Sequence, residues 1–220
     1  MPRNKYPEET VKKILETSLK LFAEKGYEQT TVLDIVANLG GLTRGAFYHH
    51  FKSKEEVLEA IYRENNSEDN PFEKAKHAKV SNGLERVRLA LKNALLANIS
   101  DEKQTTLSYL AVSSMTNPRF LVEKLKGDME TATYLAPMIE EGMADGSISP
   151  GNPKILAELF MLLVNFWMMP SIFPCEPEET FAKADVIIEI LNNLGLHIID
   201  NEIEEIFMKV FNAVMRDSNS

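Results

Sequence analysis

The 220 residues contain a single cysteine, Cys175, which excludes an internal disulfide. It lies in Pro174-Cys175-Glu176-Pro177, with no adjacent cation or His–Asp pair to lower its pKa, and reads as an ordinary reduced thiol. No apolar run of about 18 residues is free of charge, and no basic-then-apolar leader is visible. The expectation is a soluble cytoplasmic protein that does not engage a membrane. The four histidines, His49, His50, His77 and His197, form neither a His-x-x-x-His pair nor HExxH, and no second thiol accompanies Cys175, so no metal site is expected. GxSxG, Walker and GxGxxG motifs are all missing. Adjacent acids such as Glu140-Glu141 do not face each other on a helix and make no acid–base dyad. We therefore expect no enzyme activity and no cofactor. Strand signals are nearly absent, and there is no internal repeat or low-complexity tract.

What is present is a helical chain with 44% hydrophobic residues, enough for a full core in one domain or two small ones. Its net charge of −9 argues against a nucleic-acid partner until it is divided. Residues 1–63 hold 10 Lys and Arg against 9 Asp and Glu, while residues 64–220 hold 14 against 24. The acidity belongs to the second part, which leaves the N-terminal part as the end able to approach phosphates.

The richest stretch is Thr30 to Phe51, TTVLDIVANLGGLTRGAFYHHF, followed by Lys52-Ser53-Lys54-Glu55-Glu56. Thr31 with Asp34 fits a capping box, so a helix is predicted from Val32, with Val32, Ile35, Val36 and Leu39 on one packed face. Gly40-Gly41 supplies the left-handed backbone of a helix stop, and Thr43 is an N-cap for the next helix. There Phe47 and Phe51 face the core and turn Arg44, Gly45, Tyr48 and His49 outward. Glycine at an exposed helical position costs about 1 kcal/mol relative to alanine, and close approach to DNA is a reason for it. The layout is that of a DNA-reading helix-turn-helix. His50 fits either a histidine packed between Phe47 and Phe51 or a phosphate ligand. Upstream, Val11, Ile14, Leu15, Leu19 and Phe22 form a helical stripe that ends at Lys25-Gly26, with Tyr27 packing back on it. Downstream, Ser53 and Glu56 suggest a second capping box opening a helix with Val57, Leu58, Ile61 and Tyr62 on its buried side.

These residues carry a family resemblance. The run TTVLDIVANLGGLTRGAFYHHFKSKEEVLEAI, preceded by ILETSLKLFAEKGY, resembles the DNA-binding domain of the TetR (tetracycline repressor) family of transcription regulators over about the first 60 residues. Between Asp34 and Thr43 the chain is one residue longer than the usual family pattern, so a wider turn is expected around Gly40-Gly41-Leu42. The resemblance implies that Thr31, Thr43, Tyr48, His49, Lys52 and Lys54 hold phosphates and that Arg44 and Gly45 meet base edges. It implies an all-α protein, with a three-helix DNA-binding domain at residues 1–52 and a helical ligand-binding and dimerisation domain at 53–220. It also implies a homodimer that binds a palindromic double-stranded operator as a repressor and is released by a small-molecule effector.

The remainder supports helices throughout. The polar tract at 65–71 marks a break; Leu84, Val87, Leu91, Ala94 and Leu95 mark one helix. Asn117-Pro118 separates a segment around Thr106–Thr116 from a longer one running toward Asp145. Asn152-Pro153 opens a helix to Met169 that is apolar nearly all round, another follows Pro177, and a last one spans Ile203, Ile206, Phe207, Val210, Phe211 and Val214. A sensor needs a cavity, and its candidate lining is Tyr109, Met115, Phe120, Met138, Phe166 and Trp167, thioethers and rings that adapt to an apolar ligand. The competing reading from another class is an all-helical ligand-binding or scaffolding protein without DNA binding. The cluster Arg44, Gly45, Tyr48, His49, Lys52 and Lys54 discriminates against it.

Overall fold

The computed structural model describes residues 7–65, 71–100, 118–169 and 172–217, and the chain divides into two compact units, Met1–Glu68 and Asp69–Ser220. The described residues are helical or lie in turns and connections.

The first unit begins with α1, Pro7–Lys25, which has Glu8 and Glu9 at its positive end and Lys25 in its last turn. Gly26, at φ 85°, ends it by donating to the Phe22 carbonyl, and Tyr27 then returns edge-on against Phe22 with ring centroids 5.1 Å apart. Two short helices follow, α2 at Val32–Asn38 and α3 at Arg44–His50. Then comes α4, Lys54–Asn65, lying along α1. Ile14, Leu15 and Phe22 of α1, Ile35 of α2, Phe47 of α3, and Val57 and Leu58 of α4 make one buried core. The boundary expected from the sequence after Lys52 precedes α4; by packing, α4 stands in the first unit. The start of α4 also differs in detail. Ser53 Oγ accepts from Glu56 N at 3.3 Å, but the Glu56 carboxylate accepts from Lys52 N at 2.6 Å, so its reciprocal arm reaches one residue further back than an ordinary capping box.

The second unit opens with α5, Pro71–Lys76, whose proline occupies a first-turn position that needs no N–H donor. Next come α6, Gly83–Ser100, and α7, Pro118–Asp145. Helix α8, Pro153–Leu162, runs on as a π-helical turn at Leu163–Trp167, and α9, Pro177–Asn193, and α10, Asn201–Asp217, complete the unit. Val87 and Leu91 of α6, Leu135 and Ile139 of α7, Leu156 and Phe160 of α8, Ile187 and Leu191 of α9, and Ile203 of α10 share its core. Helices α6 and α7 cross at two glycines: a Cβ on Gly83 would stand 2.1 Å from the Gly142 backbone nitrogen. The end of α7 caps α6 at the same crossing, where Asp145 accepts from Gly83 N at 2.6 Å and Ser147 Oγ from Leu84 N at 3.1 Å. Arg88 of α6 donates to the His197 carbonyl at 2.8 Å, tying α6 to the connection before α10.

The apolar helix expected to run unbroken to Met169 is the main departure, since regular helix stops at Leu162 and a π turn carries the chain onward. The expected segment around Thr106–Thr116 lies outside the described residues. Among the described residues no helix is long and apolar enough to cross a membrane.

Candidate nucleic-acid interface

Two caps set the geometry of the reading unit. Thr31 Oγ1 accepts from Asp34 N at 3.1 Å, and Asp34 Oδ2 accepts from Thr31 N at 2.8 Å, which is the box read from the sequence. The same carboxylate also takes Lys25 Nζ at 2.8 Å, so the end of α1 and the start of α2 are joined through one side chain. Hydrogen bonds first from Lys25 and then from Thr31 hold the Asp34 carboxyl well below the usual carboxylate range. The sequence showed Lys25 only as a basic last turn; its partner lies nine residues on and is brought in by the turn at Gly26.

After α2, Gly40 and Gly41 stand at φ 61° and 99°, consecutive left-handed residues open to glycine at little cost. Thr43 then caps α3, its Oγ1 accepting from Ala46 N at 3.2 Å. Phe47 is wholly buried and Phe51 nearly so, their rings 6.2 Å apart, which turns the opposite side of α3 to solvent. That side carries Thr43, Arg44, Gly45, Tyr48 and His49, all exposed, and the helix contains no acidic residue. The Arg44 guanidinium sits 5.5 Å over the Tyr48 ring, which preorders both side chains. At Gly45 an added Cβ would meet nothing nearer than Thr43 Oγ1 at 3.9 Å, so the protein's own packing does not demand glycine there. His50 is half-buried and stands edge-on to His49; burial, with His49 second, keeps it below the ordinary histidine value and hence neutral near pH 7.

Thr31 and Lys52 are exposed at the two flanks of this face. Lys54 is placed differently from a free phosphate ligand. Its ammonium donates to the Tyr27 and Glu28 carbonyls at 2.8 and 3.1 Å and lies 4.3 Å over the Tyr27 ring, binding the start of α4 to the turn after α1. Nothing in the local sequence reveals this, because the partners are 26 and 27 residues away.

The family model of bacterial regulatory proteins of the TetR family matches residues 14–61, the span that builds this core and face. The chain is 28% identical over 166 residues to the HTH-type transcriptional regulator YhgD of Bacillus subtilis, a match covering 71% of this chain and 83% of that protein. Residues 14–61 match the TetR family. A second relative, the HTH-type transcriptional repressor KstR2 of Mycolicibacterium smegmatis, is 43% identical over 51 residues, which are 23% of this chain and 24% of that protein. Against that relative the likeness thus spans about a quarter of its length. Salmonella enterica GusR shares the fold, with a TM-score of 0.62 at 21% identity over 88% of this chain and 99% of that one.

Four of the six side chains expected to line a ligand cavity, Phe120, Met138, Phe166 and Trp167, lie among the described residues. Tyr109 and Met115 lie outside the described residues. Phe120 and Met138 are both buried on α7, but eighteen residues of helix separate them by roughly 27 Å at 1.5 Å per residue, too far to share one small pocket. Met138 borders a groove of about 160 Å³ with Tyr134, Pro137, Arg86 and Glu141, among others. Phe166 and Trp167 are half-buried on the π turn of α8, where the Lys124 ammonium stands 5.7 Å from the Phe166 ring. Trp167 packs against the same core cluster that contains Met138.

Proposed function

We propose that the protein is a transcriptional repressor of the TetR family that binds a palindromic operator as a homodimer and is released when its second unit takes a small-molecule effector. The observation that carries this reading is the outward face of α3. It presents a capping threonine, an arginine stacked on a tyrosine, an exposed glycine and a histidine, without an acid, on a helix anchored by Phe47 and Phe51. Arg44 and Gly45 meet base edges; Thr31, Thr43, Tyr48, His49 and Lys52 hold phosphates. Lys54 is engaged with the Tyr27 and Glu28 carbonyls, so its part is first to position α4 and only then to lend one remaining N–H to a phosphate. That KstR2 is a transcriptional repressor supports repression as the direction of control.

A second copy fits the apolar stripes of the second unit. Ile155 and Leu162 lie one heptad apart on α8, and Val186 and Ile190 lie four apart on α9 with Leu194 at its C-cap; of these Ile155 is 59% and Val186 42% exposed in a single chain. Pairing the two helices with their copies buries both stripes in a four-helix interface. Two-fold symmetry then calls for half-sites about 34–36 Å apart, so that both α3 helices enter successive major grooves. The test is a gel shift with DNA from upstream of the protein's own gene. A complex that survives excess random DNA is expected; a retardation equal on random and upstream DNA at every salt concentration defeats the reading.

A further inference from the structure

Of the described residues in the second unit, Asp128 alone is both ionisable and buried. It lies on α7 in the series Phe120, Lys124, Asp128, four residues apart on one face, which continues into buried Ala132 and Leu135. Lys124 Nζ donates to Asp128 Oδ2 at 2.8 Å, and Asn165 Nδ2, from the π turn, donates to Oδ1 at 3.1 Å. The same Lys124 ammonium stands 5.7 Å from the centroid of Phe166, the next residue on that turn. Two independent departures from an ordinary helical core thus meet here: a charge pair taken out of water, and a helix whose ladder is widened just where it supplies an amide and a ring.

Taken without Lys124, the remaining groups are a buried carboxylate steadied by an amide, with an aromatic ring close by. That set complements a cation, through a charge-assisted hydrogen bond and the ring's quadrupole. We propose that Asp128, Asn165 and Phe166 form a recognition site for the ammonium group of a small amine with an apolar tail, and that Lys124 fills the site with its own ammonium until the amine displaces it. The proposal rests on the reading of the second unit as effector-binding and names the class of effector. Lysine is the partner able to leave. Its four-carbon stem is flexible and its head regains water on swinging out, whereas the short Asp128 side chain is held by Asn165. An anionic ligand is disfavoured at the same place, since it would bring a second negative charge to a buried carboxylate.

The test is calorimetric titration of the full-length protein with hexylammonium, using hexanol and hexanoate as probes of the same tail, on the wild type, Asp128→Asn and Lys124→Met. Hexylammonium is expected to bind at least about tenfold tighter than either control, a difference in keeping with one charge-assisted contact. Asp128→Asn, with its cooperative thermal transition retained, should lose about tenfold or more, and Lys124→Met should gain affinity because the internal competitor is gone. Equal binding of hexanol or hexanoate, or wild-type affinity in folded Asp128→Asn, overturns the proposal. If Asp128→Asn does not fold, Lys124→Met decides, and unchanged or weaker binding of hexylammonium overturns it. Operator release is followed in the same samples. Amine binding that leaves the operator complex intact counts against the repressor reading and upholds the site, whereas release by another compound with no amine binding does the reverse.

Discussion

Residues on α3 and its flanks divide into those that support the fold and those proposed to meet DNA, and substitution separates the two. Gly45 touches nothing that needs glycine, so Gly45→Ala should stabilise the first unit by up to about 1 kcal/mol through helix propensity while weakening operator binding by blocking backbone approach. Chemical denaturation and anisotropy on one preparation check both; operator affinity that rises together with stability contradicts the assignment. Lys52→Ala should weaken all DNA sequences alike and flatten the salt slope by about 0.9, whereas Arg44→Ala should cost roughly 1–3 kcal/mol on the operator alone. Binding isotherms across a salt series distinguish them. His50 adds a pH dependence. Its folded pKa lies below the ordinary 6.5, so as pH falls through 6.5 the unfolded chain takes up the proton first and the first unit loses stability, a loss complete once pH is below the folded value. Above 6.5 the histidine is neutral in both states and contributes no slope. Urea midpoints at about pH 7.5 and about 5.5 should fall further in the wild type than in His50→Gln; parallel falls would show that other groups carry the acid sensitivity.

At the scale of elements, the crossing of α6 and α7 is the tightest joint. An added methyl at Gly83 meets backbone atoms of α7 rather than a movable side-chain end, so Gly83→Ala can be relieved only by separating the two helices and disturbing the Asp145 and Ser147 caps. Overpacking of this kind costs about 1–3 kcal/mol or more, and thermal unfolding of the second unit should register it. A midpoint equal to the wild type would mean that the helices separate freely there. The elements themselves were legible to differing degrees. Thr31, Gly40-Gly41 and Thr43 mark their helix ends because caps and left-handed glycines act within a few residues. The π turn at Leu163–Trp167 leaves no such mark: its sequence, LVNFW, is apolar enough for an ordinary helix, and its contacts, Asn165 with Asp128 and Phe166 beside Lys124, are made with α7.

At the scale of the whole molecule the expectation is a dimer whose DNA and effector affinities are linked. Leu162→Glu together with Val186→Glu should place charges in the apolar stripes and yield a monomer by sedimentation, with operator affinity lost but weak binding to random DNA retained. A dimer that persists in this variant puts the interface elsewhere. Because linkage is reciprocal, operator DNA must weaken effector binding by the factor by which effector weakens operator binding.

The sequence by itself determined the helical class, the reading unit and its outward face. Those follow from spacing, caps and glycines, all local quantities, and the TetR-family resemblance rested on the same contiguous run. Only the tertiary structure decided what Lys54 and Lys25 hold and that Asp128 is buried beside Lys124 and Asn165. Each of these depends on which other part of the chain the fold brings opposite. A carboxylate or an ammonium in a string of letters is solvated until a partner element covers it, and burial then changes both its protonation and its use.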